Sequence, residues 1–145
     1  MGGCNTCNLL IQNNLFYKDV NAVNLNGIGF AFVQNNLFNS NLRGVYIGTG
    51  SDMRRNNTIQ NNHFLKVGSP VVIYANGIYY QTENNLIKKN TFQTFLLKQS
   101  NPIININSRV NNNAVQDNNF LLYDSVIVKN TDIGRVPFTG NYTMP

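Results

Sequence analysis

Acidic residues are scarce in this sequence: Asp19, Asp52, Glu83, Asp117, Asp124 and Asp132 are all it has. A glycosidase needs two carboxylates at a set separation, and a calcium site needs several oxygens gathered on one ion. No DxD or DD pair is present, so the acids read as turn formers and no catalytic residue is assigned. Histidine occurs once, as His63, and cysteine twice, in the single CxxC of Cys4 and Cys7. Zinc wants about four ligands and a redox CxxC wants a βαβ context. Neither is in view, so no metal or cofactor is expected, and the cysteines read as small packing residues or a terminal disulfide. No run of 18 apolar residues occurs and the N-terminus lacks a basic stretch leading into an apolar one. A soluble chain without signal peptide or membrane contact is expected. Charged residues make up 12% against the usual quarter or so, with a net charge of +5. That excess favours anionic partners such as acidic glycans. Nucleic acid would call for a denser basic stripe with interleaved aromatics than Arg54-Arg55 and Lys88-Lys89 supply.

What the chain has in abundance is asparagine, at 29 of 145 positions. An AT-rich coding bias would raise lysine as well, yet lysine stands only at 18, 66, 88, 89, 98 and 129, so the bias reads as structural. Much of it falls in a six-residue pattern, apolar-polar-polar-Asn-any-Phe. The copies are Ile11 to Phe16, Val33 to Phe38, Ile59 to Phe64, Ile87 to Phe92 and Val115 to Phe120, with Phe-to-Phe steps of 22, 26, 28 and 28 residues. Such a period marks one supersecondary unit stacked on its neighbours. A β-branched segment follows each copy: Val23 to Leu25, Val45 to Ile47, Val71 to Ile73, Ile104 to Ile106 and Val126 to Val128. Their period-two alternation predicts strands. A third, less regular segment often follows, as at 27–30 and 76–80. Leucine-rich repeats share the period, but their Leu position becomes Ala31, Asn57, Asn85 and Asn113 in later copies, and no helical stripe appears.

Stacked roughly 4.8 Å apart as successive coils, the copies form columns. Ile11, Val33, Ile59, Ile87 and Val115 point inward; Gln12, Gln34, Gln60, Lys88 and Gln116 point outward; the five phenylalanines stack. Asn14, Asn36, Asn62, Asn90 and Asn118 form an unbroken amide column, able to bond to itself and to the turn backbone and tolerant of left-handed angles at a bend. Doublets at Asn56-Asn57, Asn84-Asn85 and Asn112-Asn113 predict a second such row. Lys89 and Asp117, stacked neighbours, are placed to pair.

These residues resemble the coils of the right-handed parallel β-helix superfamily, the pectate-lyase-like proteins, with their IxxNxF and G-V-x-I coils and Asn ladder. The resemblance covers about Leu9 to Tyr142. It implies an all-β right-handed parallel β-helix, a β-solenoid of about five to six coils, in one domain over 1–145 that stands alone or as a segment of a longer chain. Such a fold hosts polysaccharide lyases, hydrolases and epimerases as well as tailspikes, adhesins and non-catalytic modules, and so does not name an activity. Few acids and short turn insertions favour a non-catalytic structural or glycan-binding module of an extracellular or virion-surface assembly, such as a spike or fibre. A carbohydrate-active enzyme, or a fragment of one, is the alternative. Tyr46, Tyr74 and Tyr79 are candidates to stack on sugar rings, with Arg55, Lys88 and His63 as polar contacts; each also reads as an ordinary surface residue. Polysaccharide is the expected ligand, and a second copy or a parent assembly is expected at the open solenoid ends.

Overall fold

Runs of two to six residues, many of them ended by a residue at positive φ, give many short strands. The computed structural model describes residues 8–48, 54–74, 82–93, 102–107, 110–121, 128–130 and 137–144. Their strands lie in four sheets, parallel throughout, and no described residue is helical. The first sheet stacks Leu10–Gln12, Phe32–Gln34, Thr58–Gln60, Leu86–Lys88, Ala114–Gln116 and Phe138–Thr139. The second stacks Leu15–Tyr17, Leu37–Asn39, His63–Leu65, Thr91–Gln93, Asn119–Leu121 and Tyr142–Met144. The third holds Asn21–Asn24, Arg43–Ile47, Ser69–Tyr74, Ile104–Asn107 and Val128–Asn130, and the fourth Arg54–Arg55, Thr82–Glu83 and Val110–Asn111. This is a parallel β-solenoid. Two sheets are six strands deep, but among the described residues only about three turns carry a strand in every sheet, against the expected five to six coils. The first coil, with its 22-residue step, is too short for a fourth strand: Asn26 and Gly27, at φ 82°, form a turn that leads directly to Phe30.

At three corners of the coil a left-handed residue precedes one that is buried in the interior coils. Between the first and second sheets the left-handed residues are Asn13, Asn35, Asn61, Lys89, Asp117 and Gly140, with φ from 53° to 64°. The positive φ therefore belongs to the position before the amide column, not to the column itself. Asparagine, aspartate and glycine tolerate that region best, which accounts for most of the column. The same device recurs at Lys18, Ser40 and Lys66, and at Phe30, Asn56, Asn84 and Asn112.

The amide column is a ladder. Asn90 Oδ1 accepts both the backbone N–H and the Nδ2–H of Asn62 at 3.0 Å, and the second Nδ2 hydrogen of Asn62 reaches Val33 O in the preceding coil at 2.8 Å. The pattern runs from Asn14 to Asn141, which takes the sixth rung although the phenylalanine of the motif is replaced there by Thr143. A second ladder joins Asn57, Asn85 and Asn113 through bonds of 2.9 and 2.8 Å, as the doublets predict. Ala31 begins it, donating its N–H to Asn57 Oδ1 at 2.9 Å. Burying so many amides is tolerable because nearly every donor and acceptor finds a partner.

Inside, Phe16, Phe38, Phe64, Phe92 and Phe120 stack with centroids 4.6 to 5.0 Å apart. Each pair contributes about 0.5–1.5 kcal/mol beyond area burial. Phe138 ends the column from the neighbouring strand, its ring 6.0 Å from that of Phe120. The aliphatic columns of Val33, Ile59, Ile87 and Val115 and of Val45, Val71 and Ile104 complete the core.

Two further expectations change. Ile104 pairs with Val128, two residues beyond the expected register, so the described fifth strand of the third sheet is Val128–Asn130, while Val126 and Ile127 lie outside the described residues. Apolar side chains at all of 126, 127 and 128 give alternation nothing to choose between. Lys89 and Asp117 occupy stacked positions but form no ion pair; the Asp117 carboxylate lies over Gly140, where a Cβ would overlap its Oδ1. Cys4, Cys7 and 76–80 lie outside the described residues.

Candidate functional site

The third sheet has the longest strands, and its outer face carries the candidate site. Val23, Val45, Val71 and Ile104 turn inward along with Leu25, Ile47, Ile73 and Ile106. The residues between and before them turn outward in two rows. Register places Asn21, Arg43 and Ser69 in one row, and Asn24, Tyr46, Val72 and Asn105 in the other. Together these rows line an open groove of about 460 Å³. That falls within the range of about 300–1,000 Å³ typical of small-ligand sites.

Arg43 is held across the strands: its Nη1 donates to Asn21 Oδ1 at 3.1 Å. This bond leaves most of the guanidinium's donors for something else. The Tyr46 ring lies over Gly48, where a Cβ would overlap its Cε1, so the missing side chain two residues on makes room for the ring. Asn105 Oδ1 is buried and has no hydrogen-bond partner. An unpaired buried acceptor costs about 1–3 kcal/mol, and such a group at the edge of a groove is a place for a donor to go. The lining thus offers three amides, a hydroxyl, one cation and one aromatic ring, and no carboxylate. Among the described residues no group of three or more His, Cys, Asp or Glu is arranged to hold a metal.

The residues singled out from sequence are spread around the coil. Tyr46 is in the groove. Tyr74 is on the same sheet but two positions further along, since Val72 is the residue above Tyr46 and Tyr74 pairs with Asn107. His63 stands on the outer face of the second sheet between Leu37 and Thr91, with its Nε2 3.2 Å from Gln93 Oε1. Lys88 lies in the outward glutamine row of the first sheet, between Gln60 and Gln116. There Gln60 Nε2 donates to Gln34 Oε1 at 2.8 Å and Gln34 Nε2 to Gln12 Oε1 at 2.9 Å. Arg55 is in the fourth sheet, opposite Glu83. Tyr79 lies outside the described residues. The structure adds Asn21, Asn24, Arg43, Ser69, Val72 and Asn105 to Tyr46; the available signal was that each sits at a fixed step from an inward β-branched residue of its own coil.

A second surface feature follows the stack. On the second sheet the outward row starts apolar, with Leu15 and Leu37 exposed, and continues as His63, Thr91 and Asn119. On the first sheet Leu10 and Phe32 are likewise exposed, followed in the row by Thr58, Leu86 and Ala114, and Val20 and Leu42 are exposed as well.

Fold and groove together define a parallel β-solenoid with a polar groove on its broadest sheet. No protein-family model, no curated protein and no solved structure matches the chain.

Proposed function

We propose that the protein is a non-catalytic β-solenoid module, structural or glycan-binding, of an extracellular or virion-surface assembly, and that glycan binding is the reading its surface favours. The observation that carries the reading is the groove on the third sheet. A pyranose has hydroxyls that both donate and accept and a C–H face that packs on an aromatic ring. Asn21, Asn24, Ser69 and Asn105 match the hydroxyls, Tyr46 matches the C–H face, and Arg43 favours a sugar that carries a carboxylate. The likeness of the coils to pectate-lyase-like β-helices supports a polysaccharide as ligand. The exposed leucines of the first two coils support the assembly half of the reading.

The test is equilibrium binding of the whole chain to a panel of uronate-containing and neutral oligosaccharides, with Tyr46→Ala and Arg43→Ala alongside. Binding of an acidic oligosaccharide that both substitutions weaken is the expected result. Absence of binding across the panel overturns the glycan half, and sustained release of unsaturated or reducing sugars overturns the non-catalytic half.

A further inference from the structure

The asparagine ladder has a direction. In every interior coil an Asn donates its N–H and one Nδ2 hydrogen forward to the next Asn Oδ1, and its other Nδ2 hydrogen backward to a carbonyl of the preceding coil. The backbone is directional too: Leu37, His63, Thr91, Asn119 and Tyr142 each donate N–H to the ladder asparagine carbonyl one coil back. The first and last rungs are left with opposite halves of this pattern. At the first, Asn14 Oδ1 and the Leu15 N–H have no partner among the described residues. At the last, the Asn141 N–H and carbonyl have none.

Both ends also use the same substitute bond. Asn14 Nδ2, with no described coil behind it, turns to its own coil and donates to Gln12 O at 2.9 Å. Asn141 Nδ2, with no described coil ahead, donates to Thr139 O, again two residues back, at 3.1 Å. No interior rung shows such a bond. The core opens at the same place. Leu9, Ile11, Phe16, Ala22 and Ile28, the partly buried apolar residues packed on the core, all belong to the first coil, and Phe138 in the last is 43% exposed.

We propose that a second copy of this chain docks head to tail, its Leu15–Tyr17 strand pairing in parallel with Tyr142–Met144 of the first so that the ladder runs through the joint. This deepens the assembly half of the proposed function and rests on it. Asn141 would donate its N–H and an Nδ2 hydrogen to Asn14 Oδ1 of the next copy, and Leu15 of that copy would donate to the Asn141 carbonyl. The register already used inside the stack then sets Phe138 against Ile11, and Tyr142 against Leu15. A head-to-head contact would instead set one Asn14 acceptor against another. The contact is heterologous, leaving one free end of each kind, so it propagates as an open row and does not close as a dimer.

The test uses the whole chain without any glycan, so that failure of the sugar reading leaves it untouched. Sedimentation equilibrium through the micromolar range should show a mean mass that rises without a plateau. Leu15→Pro removes an N–H that makes no described internal bond and is suited to an edge strand. It should lose self-association yet still dock through its other end, so that small amounts shorten wild-type rows. A chain that stays monomeric at all concentrations, a plateau at a closed dimer, or a folded Leu15→Pro that elongates like wild type overturns the proposal. If Leu15→Pro fails to fold, the wild-type mass curve alone decides between an open row, a closed dimer and a monomer.

Discussion

Asn62 and Asn90 are joined twice through one atom: Asn90 Oδ1 accepts the backbone N–H and the side-chain Nδ2–H of Asn62, each at 3.0 Å. A single amide oxygen of one coil thereby holds both the backbone bend and the side chain of Asn62 in the coil before it. Both residues are buried, so water offers no replacement for either bond.

Asn62→Ala should therefore be costly. It removes the acceptor for the Asn36 N–H and Nδ2–H and the donor to Val33 O, leaving buried groups unpaired. A loss of about 1–3 kcal/mol for each such group is expected in chemical denaturation. Asn61→Ala, next to it but exposed, should lose only what its left-handed backbone requires, about 1–2 kcal/mol.

At the corner column, Lys89 holds φ at 53° with a side chain that is not suited to it. Lys89→Gly should leave stability unchanged or raise it by up to about 1 kcal/mol, because relief of the strain outweighs the entropy that glycine adds to the unfolded chain. Lys89→Val should destabilise, since a branched side chain is worst there. Melting temperatures in the order Gly, Lys, Val would bear this out, and any other order would count against the corner as strained.

Gly44 sits where a Cβ would lie 2.5 Å from Pro70 O and 2.7 Å from the Phe64 ring. Gly44→Ala should destabilise by about 1–3 kcal/mol through overpacking. Its neighbour in the same column, Ala22, is at the partly open first coil, so a larger side chain such as Ala22→Val should be tolerated better. Thermal melts of the two variants make the comparison.

In the groove, Tyr46→Ala should weaken oligosaccharide binding by about tenfold, the worth of one stacked ring. Arg43→Ala should act mainly on acidic sugars, and its effect should shrink as salt screens the exposed guanidinium. Titration calorimetry at low and high salt separates the two contributions.

The part of the fold legible in the sequence is the part that repeats. Ile59, Asn62 and Phe64 recur at the same spacing in every copy, and stacking like on like is the arrangement that lets amides bond to amides and rings lie on rings. Both ladders, the aromatic column and the parallel pairing follow from that repetition. Inside the motif the step is six residues each time, so there is no freedom in register.

The groove was not legible in the same way. Arg43, Tyr46, Ser69 and Asn105 stand at fixed steps from the inward residues of their strands but share no chemical type, and their meeting depends on how the segments between motifs align. Those segments differ in length, and a strand that can slide by two keeps its core face while changing which outward residues are neighbours. That is why Val128, not Val126, stands over Ile104, whereas Tyr46 lies beneath Val72 as the expected segments align. From its repeats alone the sequence determined a stacked β-solenoid with a polar ladder at its bends, because identical residues at equal spacing satisfy one another. Only the tertiary structure decided how many turns carry all four sheets, which outward side chains share the groove, and which polar groups the first and last rungs leave unpaired, because each depends on alignment between coils that no single coil encodes.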